Sequence, residues 1–212
     1  MPDLQFQVES AAAVAKAATP QLAFKVRITN VDPQPIQSIA LRVQIQIEPT
    51  RRRYTAQEQH NLRELFGEPE RWSTSLHPLL WDNVNVNVPG FIGETTMDVP
   101  APCSFDFNVA VTKYIYGLED GELPTSLLFS GTVFYSGNPG LQIAQIPWDR
   151  SANYRLPVQV WKEMMEAHYP NTAWICLRRE VFEKLDDFRA SHGLSSWEQA
   201  LEQVLEAARV KS

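Results

Sequence analysis

Apolar residues recur at every second position from the start of the chain to about residue 150, the pattern of strands with one face buried and one face wet. Leu22, Phe24, Val26 and Ile28 alternate with Ala23, Lys25, Arg27 and Thr29. Ile39, Leu41, Val43, Ile45 and Ile47 alternate with Ala40, Arg42, Gln44, Gln46 and Glu48, and in DNVNVNVP Val84, Val86 and Val88 stand against three asparagines. Weaker strands are predicted at 4–9, 94–99, 105–115, 126–135 and 141–146, separated by turns rich in Pro, Gly and Asn. Strands with half-wet faces hide their apolar sides by pairing two sheets, so the fold expected is α+β, built on an antiparallel β-sandwich of about eight strands. One helix interrupts the series. Thr55 and Glu58 have capping-box spacing, Leu62, Leu65 and Phe66 make an apolar stripe, and Gly67 is placed to end it.

After QIPWDRSANYRLP the period changes from two to 3.6, which sets an expected boundary between a sandwich domain at 1–156 and a helical region at 157–212. Pro157 suits a first helical turn, Val158, Trp161, Met165 and His168 share a face, and Pro170 stops the helix. From Thr172 the pattern reads strand, helix, helix. Val181, Phe182, Leu185 and Phe188 line the first helix, Gly193 ends it, Ser195 with Glu198 caps the next, and Trp197, Leu201, Val204, Leu205 and Ala208 line that one. A lone strand must borrow a partner from the sandwich or from a second chain, which makes a homodimer through this strand one expectation. The segment is similar in layout to the ribbon-helix-helix fold, whose repressor members read DNA with that strand. Here one strand face would offer Trp174, Cys176 and Arg178 and the other Ala173, Ile175 and Leu177, so only Arg178 is a good base reader. With six basic and seven acidic residues from 171 to 212, counterion release contributes little, and nucleic-acid binding is disfavoured.

Charge and composition narrow the classes further. The 212 residues are 44% hydrophobic and 21% charged, with 19 basic against 25 acidic side chains, an ordinary globular balance that argues against nonspecific binding to nucleic acid or an anionic membrane. No apolar run approaches the ~18–20 residues of a membrane span, and no secretory leader is evident, so the expected location is cytoplasmic. Cys103 and Cys176 stand far apart, which predicts two reduced, buried thiols.

Candidate chemistry is sparse. The run Arg51, Arg52, Arg53, where a strand gives way to a capped helix, is the most distinctive polar feature. It reads either as an anion or acidic-partner contact, or as a corner whose guanidinium forks pair Glu48, Glu58 or Glu64. In an extended run Arg51 and Arg53 share one side and Arg52 takes the other. His60, His77, His168 and His192 lie in four separate segments without metal-ligand spacing; Glu163 and Glu166 beside His168 are the best remnant of a metal set. Cys103 has no nearby histidine in sequence, no Walker or dinucleotide loop occurs, and Asp98, Asp106, Glu119 and Asp120 form no pair. No cofactor or metal is expected. Trp72, Trp81, Phe91 and Trp148, beside prolines and glycines, join Trp174 and Arg178 as candidate interface residues, with packing as the ordinary alternative.

The motifs IALRVQIQIEPTRRRY, LFGEPERW, LLWDNVNVNVPGF, LLFSGTVFY, IPWDRSANYRLPVQVWKEMM and WICLRREVF together resemble a bacterial protein family of unknown function. The resemblance covers nearly the whole chain and carries no assigned catalytic residue. Members look to be encoded near uptake nickel-iron hydrogenases and their maturation proteins, which implies an accessory role with such a protein as partner. The expectation is therefore a non-enzymatic interaction or accessory protein. Two alternatives stay open: a ligand-binding protein or enzyme with a pocket between sandwich and helical tail, and a DNA-binding regulator acting through the tail.

Overall fold

The computed structural model describes residues 2–104, 109–138, 140–173 and 175–209. Eight strands form two antiparallel sheets. β1 (Leu4–Ala13), β2 (Gln21–Asn30) and β5 (Glu94–Pro102) make a three-stranded sheet in the order β1-β2-β5. β3 (Ile36–Ile47), β4 (Leu79–Phe91), β6 (Glu122–Gly137), β7 (Gly140–Gln145) and β8 (Ser151–Pro157) make the other, in the order β4-β3-β6-β7, with β8 paired to the first half of β6.

The period-two pattern decides which faces meet. Leu22, Phe24, Val26 and Ile28 of β2 and Ile39, Leu41, Val43, Ile45 and Ile47 of β3 are all buried. Aromatic rings bridge the layers: Phe6 stacks on Phe129 at 4.2 Å, and Phe24 meets Trp81 and Tyr154 edge-on. Each such side chain taken out of water contributes roughly 1.5–3 kcal/mol. The alternate residues, among them the three asparagines of β4, face outward. Gly131 permits the closest approach of β3 and β6. Its φ is 139°, and a Cβ there would lie 2.1 Å from the Ala40 carbonyl oxygen.

Three sequence expectations change in the first part of the chain. The strand predicted at 105–115 is replaced, over its described residues, by helix α4 (Val109–Gly117); residues 105–108, including Asp106, lie outside the described residues. Val111, Tyr114, Ile115 and Leu118 are buried, a helical spacing that overrides the β-branched composition of VAVTKYIYG. The single inserted helix is a series of short turns: a 3-10 turn at Pro49–Arg51, α1 (Ala56–Asn61), α2 (Arg63–Phe66), a 3-10 turn at Pro69–Arg71, and α3 (Trp72–Ser75). Its capping box is present, with Thr55 and Glu58 bonding each other's backbone N–H, and Gly67 ends α2 at φ 76°. β8 occupies a stretch for which the sequence pattern predicts no strand.

α5 (Val158–His168) follows β8 directly, with Pro157 as its N-cap residue. Val158, Trp161, Met164 and Met165 are buried. The chain divides into compact units at Met1–Thr172 and Ala173–Ser212, so α5 belongs to the sheet unit and the division falls after it instead of at 157.

The second unit holds α6 (Arg179–Ser191) and α7 (Trp197–Arg209). Gly193, at φ 64°, turns the chain between them. The α7 cap falls one residue later than predicted: Ser196 Oγ accepts from the Gln199 amide at 3.2 Å, while Gln199 Oε1 accepts from the Ser195 amide and hydroxyl at 3.0 Å. Phe182 and Trp197 lie 5.1 Å apart, and the Arg189 guanidinium stacks on Trp197 at 4.5 Å. Of the strand predicted from Thr172, the described residues 172, 173 and 175–178 belong to no strand, and Trp174 lies outside the described residues.

Candidate functional site

The arginine corner sits where β3 ends. Pro49 starts a 3-10 turn, Arg52 returns to extended backbone, and Thr55 opens α1. This curl sends the three arginines different ways. Arg51 is exposed and donates Nη1 to Asn153 Oδ1 at 2.9 Å. Arg53 is exposed. Arg52 points inward, only 10% exposed, and meets Glu58, 2% exposed, at 2.6 Å.

Around this ion pair the polar groups are well matched. Glu58 Oε1 accepts from Arg52 Nη2 at 2.6 Å and from the Glu119 amide at 3.0 Å, and Oε2 accepts from the Thr55 amide at 3.0 Å. Arg52 also donates to the carbonyls of Asp120 and Glu122, both at 3.1 Å. Lys162, on α5, donates to the carbonyls of Leu118 and Glu119 at 2.6 and 2.9 Å, where the C-terminal end of α4 favours a cation. Gly121 O accepts from the Val158 amide at 2.9 Å. Every carbonyl from 118 to 122 thus has a donor, and two cations on distant segments clamp one loop.

Beneath the pair lies an aromatic cluster. Tyr54 Oη donates to Pro49 O at 2.7 Å, which leaves its oxygen to accept from Tyr114 Oη at 2.7 Å. Trp72 packs edge-on against Tyr54 at 5.0 Å and Phe66 at 5.9 Å, and donates Nε1 to Gly67 O. Burial pushes the Tyr54 hydroxyl up to about 12, and pushes Tyr114 up as well. Neither phenol is poised to ionise near neutrality. Burial likewise pushes the Cys103 thiol up to about 12, and its Sγ donates to Ala101 O at 3.2 Å, which makes it an inert thiol. Cys176, expected to be buried too, is exposed.

The predicted interface residues are not gathered. Trp72 and Trp81 are 7% and 2% exposed, Trp81 donating Nε1 to Pro102 O at 2.9 Å, so both are packing residues and not contacts. Phe91 is half-buried against the core. Trp148, 92% exposed, and Arg178, exposed, lie in different units; Trp174 lies outside the described residues. The histidines fall in α1, ahead of β4, at the end of α5 and after α6. Among the described residues no group of three His, Cys, Asp or Glu could hold a metal ion.

Surface hollows among the described residues of the sheet unit include two of similar size. One of about 540 Å³, between α4 and α5, is lined by Tyr116, Lys162, Glu163, Glu166 and Thr172. The Lys162 amine is already committed to the 118–119 carbonyls, and burial followed by the Glu166 charge raises the Tyr116 hydroxyl. The other, about 560 Å³, crosses the outer face of the three-stranded sheet beside Ser10, Ala23, Lys25 and Asp98. What sequence reasoning missed is the loop clamp: pairing of the arginine run with Glu58 is one of its readings, whereas the contacts of Arg52 and Glu58 with residues 119, 120 and 122 depend on tertiary placement.

These features define a two-sheet, sandwich-like α+β protein with a small helical unit, whose most distinctive polar cluster is a structural clamp. The chain belongs to a family of unknown function, DUF6084, whose model matches residues 1–212. No curated protein sequence matches it. Solved structures similar to it include the CARDB domain of a Pyrococcus furiosus protein in complex with two metal ions, at 12% identity over 74% of this chain and 92% of that one, TM-score 0.29. A late embryogenesis abundant protein matches at 13% identity over 74% and 72%, TM-score 0.35. The β-glucosidase 3B of Thermotoga neapolitana in complex with α-D-glucose matches at 8% identity over 73% and 17%, TM-score 0.27. At these TM-scores the likenesses carry no functional argument.

Proposed function

We propose that this is a non-enzymatic accessory protein of the cytoplasm that binds a partner protein through α6 and α7, with the two-sheet unit as a rigid scaffold. The observation that supports this most is the exposed apolar side of the second unit. In α7, Val204 and Leu205 are exposed, Leu205 by 63%, and α6 leaves Val181 and Phe182 exposed. Ala200 is the one fully buried residue described in the two helices. A unit of this size closes too little apolar surface on itself and gains stability by covering the rest. Glu198, Glu202 and Glu206, at i,i+4 spacing, run beside that face, so the partner surface that fits is an apolar cleft flanked by lysine or arginine.

A nickel-iron hydrogenase or one of its maturation proteins is the partner that the motif resemblance implies. The test is capture of the purified hydrogenase proteins on immobilised full-length chain. The expected result is capture by the native chain and at least tenfold weaker capture by Leu205→Glu, with an unchanged melting profile. Capture unaffected by Leu205→Glu would sink the assignment of the surface, and absence of capture would sink the partner.

A further inference from the structure

A sheet edge offers unpaired N–H and C=O groups, and proteins guard such edges with charge, proline or a bulge. The other edge strands described here are guarded. β1 is bulged between Val8 and Ser10, and Asp3, just before it, pairs with Arg150 at 2.7 Å. β5 carries Glu94, Asp98, Pro100 and Pro102, β4 carries Asp82 and Pro89, and β8 carries Arg155 and Pro157. β7, GLQIAQ, has none of these features.

Its geometry says which groups are free. The Ile146 amide donates to Gly131 O at 2.9 Å, so in an antiparallel ladder Ala144 and Gln142 also face β6. Leu141, Ile143 and Gln145 then turn their main-chain groups away from it. The side chains of Leu141 and Ile143, each 62% exposed, lie on the outer face of the sheet, Ile143 directly opposite Phe134. The residues with free backbone groups are therefore also the residues with uncovered aliphatic side chains.

We propose that β7 is the seam of a homodimer, in which β7 pairs antiparallel with β7 of a second copy across a two-fold axis at Ile143. Ile143 then faces its own symmetry mate and Leu141 faces Gln145, so that the run β4-β3-β6-β7 continues into its copy. Charge points to a second copy as the occupant. The whole chain carries a net charge of -6, which sets like charges against each other over much of its surface, whereas this edge is uncharged and meets itself without repulsion. A charged peptide would find no complementary side chain on it. The seam is independent of α6 and α7.

Self-association is expected on the order of 10–100 µM, because a six-residue seam is smaller than a standard stable interface. Sedimentation equilibrium of the full chain should show the mass rising with concentration from 24.1 kDa toward twice that value. Ile143→Lys, at an exposed position, should remain monomeric with an unchanged melting temperature. In a Cys176→Ser background, Ile143→Cys should cross-link to itself on mild oxidation and Ala144→Cys, on the inner face, should not. A monomer up to about 500 µM would overturn the proposal. So would a dimer that survives Ile143→Lys, including one abolished instead by Leu177→Lys, which would put the contact at the tail segment.

Discussion

Arg52 and Glu58 are held so far from water that each depends on the other. Removing one partner of such a pair strands a buried charge, at a cost of about 3–5 kcal/mol, whereas exposed arginines contribute little. Arg52→Met should therefore lower the unfolding free energy obtained from urea titration by about 3–5 kcal/mol, and Arg53→Glu should leave it unchanged. Equal effects at the two positions would mean that the clamp does not exist in solution. The raised thiol and phenol give a second residue-scale expectation. Cys103 ionises at about 9.0 when free and at about 12 in the fold; Tyr54 at 10.0 and about 12. A group whose folded pKa is raised contributes fully below its unfolded pKa and loses that contribution as pH climbs toward the folded one. Stability should thus be flat to about pH 9 and fall from there toward 12, first through Cys103 and then through Tyr54. Urea midpoints at pH 8 and pH 10 should differ less for Cys103→Ala than for the native chain; an equal drop in both would show that the thiol ionises freely.

At the scale of elements, Gly131 shows how one position sets the spacing of two strands. A methyl group placed 2.1 Å from the Ala40 carbonyl forces β3 and β6 apart in the centre of the larger sheet, so Gly131→Ala should cost more than 2 kcal/mol, measured by thermal unfolding. A neutral outcome would mean that the ladder is looser there than the register implies. The strands were legible because alternation maps directly onto burial: Leu22, Phe24, Val26 and Ile28 of β2 and Ile39, Leu41, Val43, Ile45 and Ile47 of β3 are all inside. Helix α4 was not legible, since Val109 and Val111 satisfy a period of two while Val111, Tyr114 and Ile115 satisfy 3.6, and only packing chooses between them. The arginine corner was half legible. Pairing of Arg52 with Glu58 followed from proximity in sequence, but the carbonyls of 120 and 122 are supplied by a loop about seventy positions away, which no local pattern encodes. Trp72 and Trp81 show the converse limit, because an indole beside a proline looks alike in sequence whether it plugs a core or faces a partner.

For the whole molecule, the division of the chain into two units implies two levels of stability. The sheet unit closes a continuous apolar core from Leu4 to Met165, with many non-local strand pairings. The helical unit has a single fully buried residue among its described positions and relies on Phe182, Trp197 and Arg189 stacking at its surface. Backbone amides exchange at a rate set by the local opening free energy, and units with few buried contacts open first. In hydrogen exchange of the free protein, amides of α6 and α7 should therefore exchange at least a hundredfold faster than those of β3, which is paired on both sides. A partner that covers Val204 and Leu205 should slow exchange in α6 and α7 selectively and leave β3 unaltered, because only the unit whose surface is incomplete has stability to gain. Uniform protection across both units in the free protein would show that the helices already form part of one closed core, and the docking role proposed for them would fall with it.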